Sequence, residues 1–354
     1  MDRRRASLVL EDGHVFEGEV FGEARPAAGE VVFNTGMAGY PESLTDPSYS
    51  GQILVLTYPL IGNYGVPPGT DPESLDGPFE SGRVQVAGLI VSSLCPAPSH
   101  WSSTRTLDAW LREENVPGIQ GIPTRTLTKI LREKGTMLGK IVLPGRDTDF
   151  FDPDKINLVE RVSTKKILSY GSGRKRIALL DCGAKNNIIR CLVGRGVTVL
   201  RVPWDCDLAS LDYDGLVISN GPGNPKMCGR AVEEVRRAMA RGKPIFGICL
   251  GNQILALAAG LDTYKLKYGH RSQNQPCLDT RTGRCPITSQ NHGYAVKPEL
   301  GPDWEAWFVN ANDGTNEGIR HKRLPFRAVQ FHPEGAPGPR DTEYLFDELL
   351  EAVR

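Results

Sequence analysis

Between residues 177 and 258, four short apolar runs alternate with stretches of helical character. That alternation leaves the chain few ways to fold. The runs are Ile177–Asp181, Val197–Val202, Gly215–Ser219 and Pro244–Ile248. Helical patterns follow near Asn187–Gly194, over Ala231–Arg241 and from Ile254 onward. Strands that are apolar throughout are buried on both faces. Parallel pairing of such strands needs a crossover, and helices supply it. The pattern predicts an α/β domain with a mostly parallel sheet and helices on both faces. In such sheets ligands bind beyond the carboxyl ends of the strands. Two segments fall at such ends: Asn220-Gly-Pro-Gly-Asn after the third run, and Cys249 after the fourth.

Cys249 stands in Pro-Ile-Phe-Gly-Ile-Cys-Leu-Gly-Asn-Gln, residues 244–253. Gly247 and Gly251 flank it two residues away on each side, which suits a sharp strand-to-helix turn with room for a substrate. A helix N-terminus behind a thiol favours its thiolate. An isolated cysteine after an apolar strand also reads as a small core residue, but a core position needs neither glycine. A nucleophile requires a base and a group to orient it. Phe326–Glu334 reads as a strand ending in His332, with Glu334 two residues on. Residues i and i+2 of an extended chain point the same way, and Pro333 keeps His332 extended. A Cys249–His332–Glu334 triad is the expectation. The N–H of Leu250 and the Gly221-Pro222-Gly223 loop are the expected oxyanion donors. No phosphate-loop lysine or dinucleotide fingerprint is present.

The front of the chain differs. Residues 1–145 are rich in Gly and Pro, with strands expected at Ala6–Glu11, Gln52–Tyr58 and Gln85–Val91. Helices are expected at Leu107–Glu114 and Thr124–Lys134, the latter with Thr124 as N-cap and Gly135 at its C-terminus. This predicts a smaller α+β domain with a sizeable sheet. Residues 146–175 read as a linker, polar and Gly-rich with a basic run at 174–176, and 176–354 form the second domain. Lys plus Arg equals Asp plus Glu at 42 each, which gives no electrostatic case for nucleic acid or an anionic membrane. No apolar run approaches the ~20 residues that span a bilayer, and the N-terminus does not read as a signal peptide. None of the eight cysteines forms a C-x-x-C pair, and no histidine stands at metal-finger spacing. A reducing compartment and no metal site are therefore expected.

Four segments together resemble class I glutamine amidotransferases: Gly247-Ile-Cys-Leu-Gly-Asn-Gln, Ser219-Asn-Gly-Pro-Gly, Gln290-Asn-His-Gly-Tyr and Gln330-Phe-His-Pro-Glu. The front narrows the resemblance. Gly29-Glu-Val-Val-Phe-Asn-Thr-Gly, Gly39-Tyr-Pro-Glu, Thr45-Asp-Pro-Ser-Tyr, the Thr57–Gly65 stretch and Thr124-Arg-Thr-Leu-Thr are similar to the small subunit of carbamoyl-phosphate synthetase. The resemblance runs from about residue 6 to 350 and implies a β/β/α-type first domain. It implies that Cys249, His332 and Glu334 are catalytic. It also implies that glutamine is held by Ser48, Gly221, Gly223, Leu250, Gln253, Asn291, Gly293 and Tyr294. Ser48 would complete the site from the first domain. The implied activity is glutamine hydrolysis, with ammonia passed to a large subunit or fused synthetase domains that make carbamoyl phosphate for pyrimidines, arginine or urea. ATP and magnesium are expected on that partner, with no cofactor in this chain. The cytoplasm is the expected compartment, the mitochondrion the alternative.

Two positions depart from the family pattern. Asn252 stands where the family usually has His, and Ser272 where it often has Gly. Two other functions compete with the glutaminase: a catalytically weakened regulatory module that docks on the synthetase, and an unrelated cysteine hydrolase such as a peptidase.

Overall fold

A computed structural model describes residues 5–69 and 75–353. The chain divides into two units, Met1–Ile156 and Asn157–Arg354. Among the described residues no helix is long and apolar enough to cross a membrane.

Among the described residues, seven strands of the first unit form one sheet: β1 (Arg5–Leu10), β2 (Val15–Gly22), β3 (Ala27–Asn34), β4 (Gln52–Leu56), β5 (Gly88–Ile90), β6 (Pro117–Gln120) and β7 (Met137–Val142), while Leu60–Ile61 pairs separately with Ser93–Leu94. They close into a barrel in the order β1-β2-β6-β5-β4-β3-β7. The α+β expectation named a sizeable sheet, and that sheet is closed on itself. Closure removes the exposed edges that an open sheet would present. The interior is apolar because inward positions alternate with outer ones, as in β1, where Ala6, Leu8 and Leu10 are buried. Neighbours β3, β4, β5 and β6 run parallel, and the remaining pairings are antiparallel. Of the expected strand Gln85–Val91, only Gly88–Ile90 pairs in the barrel. The helix Thr124–Lys134 lies where its pattern predicts, and Gly135 ends it at φ 106°. Thr124 is not the N-cap, however. Pro123 occupies that position, and no side chain caps the helix.

The second unit holds ten strands: β8 (Leu168–Tyr170), β9 (Arg176–Asp181), β10 (Thr198–Pro203), β11 (Gly215–Ile218), β12 (Ile245–Ile248), β13 (Thr263–Asp279), β14 (Ile287–Val296), β15 (Trp304–Asn310), β16 (Asn316–His321) and β17 (Phe326–Val329). Their order is β8-β10-β9-β11-β12-β17-β16-β15-β13-β14. The block β10-β9-β11-β12-β17 is parallel and the flanks are antiparallel. Helices Asn186–Val193 and Gly229–Met239 make the crossovers, and Leu250–Ala258 follows β12 directly. Ile177, Leu179, Val217 and Ile248 are fully buried, as continuous apolar strands require.

Part of the stretch expected as linker, 146–175, belongs to this unit. β8 is an edge strand paired antiparallel with β10, and Val159 lies in the core. A three-residue edge strand with one half-exposed face carries too little apolar signal to be read locally. The C-terminal helix spans Leu345–Ala352.

Candidate active site

Three adjacent parallel strands, β11, β12 and β17, end on one side of the sheet, and the chemistry-bearing segments follow them. Cys249 leaves β12 at φ 56°, ψ −104° and stands at the N-terminus of Leu250–Ala258. A non-glycine residue at such a φ is strained by about 1–3 kcal/mol and needs strong local support. That support is visible. The Cys249 N–H donates to Val329 O at 2.9 Å, and the Asn252 N–H donates to Cys249 O at 3.0 Å. The flanking glycines are required by contact. A Cβ on Gly251 would lie 2.1 Å from Ile218 O, and one on Gly247 would lie 2.5 Å from Gly251 O. The thiol is 2% exposed, with Sγ 3.6 Å from Asn291 O.

The strand that leads to His332 stops at Val329, short of the expected end at His332. His332 rejoins the sheet by a single bridge, its N–H donating to Ser289 O in β14 at 2.9 Å. Nδ1 lies 2.6 Å from Glu334 Oε1, so the i, i+2 geometry delivers the pair. The other ring nitrogen, Nε2, is buried and has no hydrogen-bond partner among the described residues. Burial alone would push His332 towards its neutral form. The Glu334 carboxylate and then the Cys249 thiol outweigh it and raise the pKa to about 10. Burial would push Glu334 up, but Lys185 and His332 bring it down to about 2.

Lys185 escaped the sequence reading. Its Nζ donates to Glu334 Oε1 at 3.0 Å and to Gly335 O, and it is 2% exposed. It lies just past the carboxyl end of β9, the one signal that marked it. Its loop is fixed on both sides. Asp181 Oδ1 accepts from the N–H groups of Gly183 and Ala184, and Asp181 Oδ2 pairs with Arg201 at 2.7 Å. The Lys185 N–H donates to Asn220 Oδ1 at 3.0 Å, joining this loop to the Asn-Gly-Pro-Gly segment.

Gly221 is brought beside Leu250: a Cβ on Gly221 would meet Leu250 Cδ2 at 2.8 Å and Cys182 O at 2.0 Å. Gly223, at φ 84°, turns the same loop. Asn291, Gly293 and Tyr294 lie on β14, and the Gln253 side-chain amide donates to Tyr294 O at 2.9 Å and to Gln330 Oε1 at 3.2 Å. Ser48 lies in the first unit on the turn Pro47–Tyr49, its N–H bonded to Asp46 Oδ1. Asn252 is fully buried. Its Nδ2 donates to Gln330 Oε1 at 3.1 Å, and its Oδ1 has no partner among the described residues. Ser272 is buried on β13 and accepts from Gln275 Nε2 at 3.0 Å.

A second buried polar cluster also went unread. His292 Nδ1 donates to Tyr294 O at 2.8 Å, and burial together with the neighbouring His270 keeps the ring neutral. His270 bridges Glu317 and Asp313 at 3.0 and 2.9 Å. His270, His292 and Glu317 bring ligand-type atoms within 4.8 Å of one another. Both nitrogens of His270 are already engaged by carboxylates, so the cluster stiffens β14, β16 and the segment that carries Asn291.

Comparison with known proteins follows the same division. Residues 178–352 match the family model for glutamine amidotransferase class-I, and residues 8–141 match that for carbamoyl-phosphate synthase small chain, CPSase domain. The arginine-specific carbamoyl phosphate synthase small chain of Saccharomyces cerevisiae is 48% identical over 365 residues, which cover 99% of this chain and 89% of that protein. The multifunctional protein CAD of Squalus acanthias is 52% identical over 99% of this chain and 16% of its own length. The mitochondrial ammonia carbamoyl-phosphate synthase of Homo sapiens is 50% identical over 99% of this chain and 24% of its own. The chain thus spans less than a quarter of the length of these two longer relatives.

Proposed function

The chain belongs to the carbamoyl-phosphate synthase small-chain family, and on that premise we propose that it hydrolyses L-glutamine to glutamate and ammonia for a synthetase partner. The observation that carries this reading is the strained Cys249 at a helix N-terminus beside the buried His332–Glu334–Lys185 chain.

The chemistry follows from these positions. Cys249 Sγ attacks the side-chain amide carbon of glutamine with its proton already on His332 Nε2, where the raised pKa holds it. Glu334 stabilises the imidazolium so formed and fixes the ring. The developing oxyanion is received by the Leu250 N–H and the Gly221 loop. The C–N bond breaks as His332 returns its proton to the leaving nitrogen, and ammonia departs. Water, deprotonated by His332, then cleaves the thioester and releases glutamate. We assign glutamine contacts to Ser48, Gly221, Gly223, Leu250, Gln253, Asn291, Gly293 and Tyr294. The partner is a carbamoyl-phosphate synthetase large subunit or fused synthetase domain, which holds ATP and magnesium and uses bicarbonate. Eight free cysteines support a reducing compartment, the cytoplasm in our reading.

A glutaminase assay on the purified chain, alone and with a synthetase, tests this. Cys249→Ser should lower kcat by at least about a thousandfold. Equal rates for wild type and Cys249→Ser would leave only a regulatory module. Labelling of Cys249 by a glutamine-like electrophile, blocked by glutamine but not by peptides, separates the glutaminase from a peptidase.

A further inference from the structure

The barrel of the first unit has a feature that glutamine chemistry does not use. Its four parallel strands β3, β4, β5 and β6 are adjacent, and a hydroxyl residue stands within four residues of each strand's end: Thr35, Thr57, Ser92 and Thr124. These four, with Thr128, Arg125, Lys129 and Arg132, line one cleft of about 490 Å3. Ligands of parallel sheets bind at this end of the strands. The loops there are tied together, Thr57 N–H to Asn34 O at 3.1 Å and Gly121 N–H to Ser92 O at 3.0 Å, so the rim is preformed.

Three observations give the cleft a sign. First, the N-terminus of Thr124–Lys134 opens into it with no capping side chain and no acidic residue in its first turn. Its partial positive charge is uncompensated, and Arg125 adds to it. Second, Thr124 is 4% exposed and lines the cleft, yet its hydroxyl bonds no protein atom among the described residues. One turn on, Thr128 Oγ1 is also buried without a partner. Buried hydroxyls are ordinarily hydrogen-bonded. Third, no carboxylate among the described residues lines the cleft.

We propose that this cleft is a binding site for a phosphate group, held by the first-turn N–H groups of Arg125 and Thr126, the hydroxyls of Thr124 and Thr128, and the cation of Arg125. A tetrahedral oxyanion offers acceptors in several directions. It therefore suits hydroxyls converging from four strand ends and one helix better than a planar carboxylate does. The site lies wholly within the first unit and stands or falls separately from the glutaminase reading.

Isothermal titration of the full chain with inorganic phosphate at low chloride tests it, with glycerol phosphate and succinate in parallel. Saturable binding of phosphate is expected. Arg125→Gln, a surface change, and Thr124→Val should each weaken it about tenfold or more, a loss of about 1.4 kcal/mol. Glutaminase rate and circular dichroism should stay at wild-type values and so report correct folding. Tighter binding of glycerol phosphate points to a phosphorylated metabolite, and binding of inorganic phosphate alone to the free ion; either supports the site. Absence of saturable phosphate binding overturns the proposal, as does unchanged affinity in both variants. Binding of succinate but not phosphate overturns it too. So does loss of synthetase association in Arg125→Glu while no small anion binds, because acidic side chains of the partner would then occupy the cleft.

Discussion

At the scale of single residues, the proposed glutaminase rests on the buried Lys185–Glu334–His332 chain. Lys185 touches no reacting atom. It holds Glu334 ionised, and Glu334 holds the His332 ring. Lys185→Met leaves a buried carboxylate short of its cation, and breaking such a pair costs about 3–5 kcal/mol. The expected result is a clear drop in urea midpoint and a fall in kcat of about ten- to a hundredfold, with KM changed far less. An unchanged kcat would remove Lys185 from any positioning role. The same chain sets a pH dependence. His332 titrates near 10 in the folded chain against 6.5 as its ordinary value. The raised pKa contributes stability that is complete below pH 6.5 and lost as pH rises towards 10. Glu334, lowered to about 2 from 4.5, contributes above pH 4.5 and loses it as pH falls towards 2. Urea midpoints of wild type should therefore fall between pH 6.5 and 10 more steeply than those of His332→Gln. Parallel curves would contradict the assignment. The sequence pointed to His332 and Glu334 because their spacing is local. Lys185 stands 149 residues from Glu334, and only the fold joins them.

At the scale of elements, the elbow from β12 into Leu250–Ala258 is a contact problem solved by two glycines. Gly251 passes so close to Ile218 O in β11 that no Cβ fits. Gly251→Ala should displace the helix start, costing about 1–3 kcal/mol by overpacking and moving the Leu250 N–H from the place proposed for the oxyanion. Glutaminase kcat should fall at least tenfold while far-UV circular dichroism holds. Retained kcat would mean that the elbow tolerates the shift. Gly-x-Cys-x-Gly was legible because a turn is short-range. The closure of β1–β7 into a barrel was not, since β1 meets β7 through pairs such as Leu8 with Ile141, far apart in the chain. β8 was missed for a related reason: three residues on a sheet edge have little pattern of their own. The helix Thr124–Lys134 was located by its period, but its start was misread, because a threonine there also fits a first helical position under Pro123.

At the scale of the molecule, each unit carries parallel strands whose carboxyl ends gather functional groups. With a synthetase partner, Cys249→Ser should abolish glutamine-dependent carbamoyl phosphate synthesis and leave ammonia-dependent synthesis near the wild-type rate. Loss of both would show that the substitution disturbs the assembly and not only the nucleophile. From the sequence alone came the alternation that demands a parallel sheet, the thiol at its turn, the His332–Glu334 pair and the family pattern. Each is encoded within a few neighbouring residues, where sterics and periodicity act. Tertiary structure alone decided that Lys185 holds Glu334 and that Gly221 lies beside Leu250. It also decided that His270, His292 and Glu317 form one buried cluster, and that four hydroxyls meet at one end of a closed barrel. Those facts depend on which strands become neighbours, and burial and hydrogen-bond satisfaction settle that across the whole unit at once.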